Sequence, residues 1–80
     1  MATFQGHKNW NHWNVSLWIN NDEGLYNAAR DTLRWCKKEG YTRQAAAVEF
    51  LAYLGCLGMA KTPDGAPYSV SSIRAAMRGM

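Results

Sequence analysis

Eighty residues carrying a net charge of +3 leave room for one small domain and not for two. An apolar fraction of 48% with 19% charged residues excludes a disordered chain and describes an ordinary globular one. Residues 1–8 lack a cationic start and an apolar h-region, and no apolar run approaches the roughly 20 residues of a membrane span. Neither a secretion signal nor a membrane-spanning segment is therefore expected, and the bacterial cytoplasm is the expected compartment.

Residues 1–8 read as a loose lead-in. Asn9 is placed to cap a first helix, with Trp10, Trp13, Leu17 and Trp18 at helical spacing as one aromatic face up to Ile19. Asn20-Asn21-Asp22-Glu23-Gly24 breaks that pattern and supplies a cap and two acids for the next helix start. The second helix is predicted from about Asp22 to Lys38. Leu25, Ala29, Leu33 and Cys36 form its apolar face, Lys37 and Lys38 lie in its last turn, and Gly40 is its stop.

Thr42 is predicted to cap a third helix, from about Arg43 to Gly58. Ala47, Leu51, Leu54 and Gly58 repeat along it, Phe50 and Leu57 lie beside them, and Ala46, Ala47, Gly55 and Gly58 are small enough to admit a close neighbour. A strong turn signal follows at Lys61-Thr62-Pro63-Asp64-Gly65-Ala66-Pro67. Ser69 then caps a short last helix with Val70, Ile73, Met77 and Met80 as one stripe, a helix that needs tertiary packing to persist. The predicted fold is all-α, a small bundle of about four helices in a single domain spanning residues 1–80.

Catalytic equipment is sparse. His7 and His12 have no nearby Cys or Ser in a recognisable nucleophile setting, and neither a phosphate loop nor a carboxylate pair stands out, so no enzyme and no cofactor is expected. Cys36 and Cys56 are too few for a disulfide scaffold. With His7 and His12 they form a poor zinc set, lacking the paired spacing such sites use, and both are expected to pack as small hydrophobes.

The basic residues carry more information. Arg30, Arg34, Lys37 and Lys38 fall at i, i+4, i+7 and i+8, along one face of the second helix, with Asp31 and Glu39 off the stripe. Such a stripe is either a solvated surface or a contact face for phosphates or an acidic protein patch. Lys61, Arg74 and Arg78 form a second basic group, the last two again at i, i+4. Asn14, beside the aromatic face, is expected to bond a neighbouring backbone group.

Two resemblances bear on function. Leu57-Gly58-Met59, Thr62-Pro63-Asp64-Gly65, Tyr68-Ser69 and Ser72-Ile73-Arg74 resemble the small helix-turn-helix of serine recombinases over about the last forty residues. That resemblance implies that Ser69, Ser71, Ser72, Arg74 and Arg78 face a DNA groove. The chain departs from it by one extra residue before Thr62 and by acidic Asp64 where a basic residue is usual, an acid that repels phosphate.

Lys8-Asn9-Trp10, Trp13-Asn14-Val15-Ser16-Leu17-Trp18-Ile19 and Asn20-Asn21-Asp22-Glu23-Gly24-Leu25-Tyr26 resemble a family of short phage and mobile-element proteins with the pattern NxxWNVxLWIxNDEGLY, often followed by a TPDG turn. The whole chain is similar to small anti-CRISPR proteins, in particular those acting on type I-C surveillance complexes. That likeness implies an inhibitor, a monomer or small homo-oligomer, that binds a Cas subunit through protein contacts. The alternative is a helix-turn-helix-like DNA-binding regulator, with direct nucleic-acid binding less expected than protein binding and no membrane partner. Acidic mimicry of DNA does not suit a chain of positive net charge.

Overall fold

A computed structural model describes residues 7–78 and Met80. Within them the chain forms four helices, α1 (Trp10–Asn21), α2 (Glu23–Lys38), α3 (Arg43–Cys56) and α4 (Val70–Ala76), and no named strand. The fold is all-α. Each helix contacts its two neighbours in a closed ring, α1 on α2, α2 on α3, α3 on α4 and α4 back on α1.

Local chemistry sets the helix starts. Asn9, Asp22, Thr42 and Ser69 each sit in extended backbone and accept the free amide of His12, Leu25, Ala45 and Ser72. Each cap satisfies an opening N–H that the helix itself cannot. Asp22 alone, with ψ at 117°, separates α1 from α2, so Asn20, Asn21 and Gly24 are helical and the break is shorter than the sequence suggests. Gly40 ends the second helix at φ +81° and Gly58 lies past the end of the third at φ +73°, both in the left-handed region glycine reaches without strain.

The core joins Val15, Ile19, Ala29, Cys36, Ala46, Ala47, Phe50, Leu54, Ile73 and Met77. Burying a side chain such as Phe50 or Leu54 contributes about 1.5–3 kcal/mol. Three expectations need correction. Trp10 and Leu17 are exposed and Trp13 and Trp18 only half-buried, because the inward face of α1 is Asn14, Val15 and Ile19. Gly55, Leu57 and Gly58 are exposed, so close packing on α3 comes from Ala46 and Ala47 alone. Cys56 is exposed and only Cys36 packs in the core.

Asn14 explains the rotation of α1. Its Nδ2 donates to the Asp64 carboxylate at 2.8 Å, and its Oδ1 accepts from the Thr62 hydroxyl at 2.6 Å. Trp18 Nε1 donates to the same Asp64 oxygen at 2.9 Å. The partners of Asn14 are thus side chains of the turn rather than neighbouring backbone. Thr62 Oγ1 also accepts from the Ala66 amide at 3.0 Å, and the Ala66 carbonyl accepts from Thr62 N–H at 2.8 Å, closing a turn with Gly65 at φ +95°. A single antiparallel bridge, Lys61 to Pro67, forms its neck. The WNVSLW stretch and the TPDG turn therefore hold one another, and α4 is delivered onto α1 as a result.

Candidate partner-binding faces

Two open grooves flank Arg43, the first residue of α3. Its Nη1 donates to the Met77 carbonyl at 2.8 Å and its Nη2 to the Met80 carbonyl at 3.3 Å. A fixed cation thus ties the start of α3 to carbonyls just past the end of α4, the first of which also accepts from Met80 N–H. From sequence Arg43 is legible only as a helix start, because these acceptors lie 34 and 37 residues away.

The first groove, of about 420 Å³, runs between α2, the start of α3 and Met80. Arg30, Arg34 and Lys37 line it together with Leu33 and Tyr41. Lys38 is exposed in the last turn of α2 but does not line it. Tyr41 lines this groove and Trp35 does not, but the two rings, 56% and 50% exposed, lie with centroids 5.6 Å apart, so Trp35 extends the aromatic surface beyond the groove. Arg30 lies 5.7 Å from the Tyr26 ring centre, in cation–π range. Asp31 was placed off the basic stripe, yet it approaches Arg34 to 3.9 Å, an exposed pair of little energetic weight.

The second groove, of about 720 Å³, lies between the N-terminal end of α1, the start of α3 and α4. Lys8, Arg43, Arg74 and Arg78 line it with His7 and His12. Lys61 is not among its lining residues but sits at the neck of the turn, apart from the arginines with which the sequence grouped it. Arg74 is steadied by Gln44 Oε1 at 2.9 Å, and His12 Nε2 lies 3.1 Å from Ser71 Oγ. Partial burial, then the charges of Lys8, His7 and Arg78, hold the His12 pKa below its ordinary value. His7, His12, Cys36 and Cys56 are not assembled into one site: His7 and His12 line this groove, Cys36 lines the other and Cys56 lines neither.

Of the residues that the recombinase likeness places in a DNA groove, Ser71, Arg74 and Arg78 are exposed and line the second groove. Ser72, Ile73, Ala75 and Ala76 of the short α4 are buried, and Ser72 is spent in a capping box with Ser69. Ser72 therefore cannot face DNA. Residues 57–69 separate α3 from α4, where a helix-turn-helix uses a turn of three or four residues. Asp64 faces α1, held below the usual carboxylate range by hydrogen bonds from Asn14 and Trp18.

A family model described as DUF7249, a family of unknown function, matches residues 1–80. The chain belongs to that family. No curated protein and no solved structure matches it. Among the described residues, no helix is long and apolar enough to cross a membrane.

Proposed function

We propose that this chain is a small phage or mobile-element inhibitor of a bacterial type I CRISPR–Cas surveillance complex, docking on a Cas subunit in the host cytoplasm and blocking recognition of target DNA. The likeness to small type I-C inhibitors supports the target. The observation that carries the mode of action is the exposed Trp35–Tyr41 pair beside Arg34, Lys37 and Lys38. Tryptophan, tyrosine and arginine are the side chains that dominate protein–protein hot spots, and half-exposed rings offer apolar area at little entropic cost. The surrounding cations suit an acidic patch on the partner and speed encounter more than they add affinity. Docking of this kind needs about 800 Å² per partner, which one face of a molecule with 5207 Å² of accessible surface can supply.

A gel shift of labelled target duplex by a purified type I-C complex, at physiological salt, tests the reading. Added protein is expected to abolish the shift, Trp35→Ala is expected to restore it, and the protein alone is expected to leave the duplex unshifted. A complex that keeps its shift at saturating protein overturns the proposal. A shift by the protein alone replaces it with the DNA-binding alternative.

A further inference from the structure

We infer that the second groove binds the phosphate backbone of a nucleic acid, without reading its sequence. Four of the nine Lys and Arg residues line it, and none of the six acidic residues does. The cations come from the segment before α1, from α3, from α4 and from the residues just after it, so four separate stretches of chain bring them to one groove. Among the described residues Val70 and Ala75 are its only apolar lining, which gives an acidic protein partner little to bury there. A phosphodiester chain needs none, because its affinity comes from counterions released as cations replace them.

The groove is also organised in advance. Arg43 is tied to two carbonyls and Arg74 to Gln44, so their guanidinium planes are ordered before any ligand arrives. Arg78 makes no side-chain hydrogen bond among the described residues, and Lys8 none either. Ser71 and the His12 ring add neutral polar contacts at the same wall. His7 Nδ1 is buried there without a partner among the described residues. His7, Lys8 and Arg78 all depress protonation of His12, the signature of positive potential converging on one place. An arriving phosphate reverses that field and favours the imidazolium, which adds one more donor and one more charge. This binding is separate from the inhibitor reading and needs no Cas protein.

Fluorescence anisotropy of a short labelled oligothymidylate with the intact chain is the test. In low-salt buffer binding is expected, and with three or four contacts the slope of log affinity against log salt is about −2 to −3. The Lys8→Gln/Arg78→Gln double variant should weaken it by about tenfold or more, whereas Lys61→Gln, which removes one cation outside the groove, should change little. Both altered residues are exposed, so circular dichroism should report an intact fold. By NMR the oligonucleotide should raise the His12 pKa. The proposal is overturned by absent binding, by a double variant no weaker than Lys61→Gln, by an unmoved His12 pKa, or by a polyglutamate peptide of equal charge binding as tightly.

Discussion

On one side of Arg43 the molecule presents basic side chains mixed with large rings, and on the other basic side chains with almost nothing apolar between them. The two grooves share that arginine and both are positive, so net charge alone cannot tell them apart. What separates them is desolvation. Trp35 and Tyr41 give a folded partner area to bury, whereas the channel of Lys8, Arg74 and Arg78 offers only charge and hydrogen bonds. Affinity at the first face should therefore survive salt, while affinity at the second should fall steeply with it.

The sharpest way to break this comparison is Trp35→Ala. Loss of a central aromatic anchor should cost about 2 kcal/mol or more of partner affinity, roughly thirtyfold in the dissociation constant. Because Trp35 is half-exposed, the melting temperature should barely move. Calorimetric titration against the surveillance complex, with a thermal melt alongside, measures both. Unchanged affinity would show that the ring is only surface, and a large melting shift would show that it is structural.

Next in size is the joint between α1 and the turn. Asn14→Ala leaves the buried Thr62 hydroxyl without its acceptor and should cost about 1–3 kcal/mol, which lowers the melting temperature by roughly 5–15 °C. Asn14→Asp, which sets a second carboxylate against Asp64, should be worse. The second groove should loosen before the first, since the joint places α4 beside α1, and the His12 resonance should shift more than that of Trp35. Equal loss at both faces would mean the two grooves are not independent.

That joint also marks where the sequence stopped being legible. Caps at Asn9, Asp22, Thr42 and Ser69 and the stop at Gly40 were readable because cap and target lie within a few residues. The inward face of α1 was not, because its apolar residues are spread around the helix and the choice among faces is made by Asn14 through partners 48 and 50 residues away. The stripe on α2 was visible as spacing, and its aromatic neighbours became meaningful only with exposure known. The second groove was hidden for the same reason as the joint: Lys8, Arg43 and Arg74 lie on three separate stretches and share no pattern.

Smaller effects follow with pH, and their signs differ by region. Asp64 titrates lower in the folded chain than in an unfolded one, so its stabilising contribution is present above the ordinary carboxylate range and is lost as pH falls through its depressed value. Asp64→Asn should flatten the stability profile below about pH 4. His12 is also depressed, which means the unfolded chain takes up its proton first, and stability should decline as pH falls below about 6.5. Oligonucleotide in the second groove should shrink that decline by favouring the imidazolium, while occupancy of the first groove should leave it unchanged. Chemical denaturation across the pH range, with and without ligand, separates the two.

The least perturbing probe is the thiol pair. Burial, with Glu49 adding to it, pushes the Cys36 thiol up, and Cys36 sits in the core beneath the first groove, whereas Cys56 is exposed at the end of α3 and lines neither groove. A thiol reagent should therefore modify one cysteine per native chain quickly, and the second only as the protein unfolds. Mass spectrometry of the labelled peptides identifies which. A label at Cys56 should leave both binding activities intact. Rapid reaction at Cys36 would mean that the floor of the first groove opens in solution, and the aromatic face would then be a moving surface rather than a preformed one.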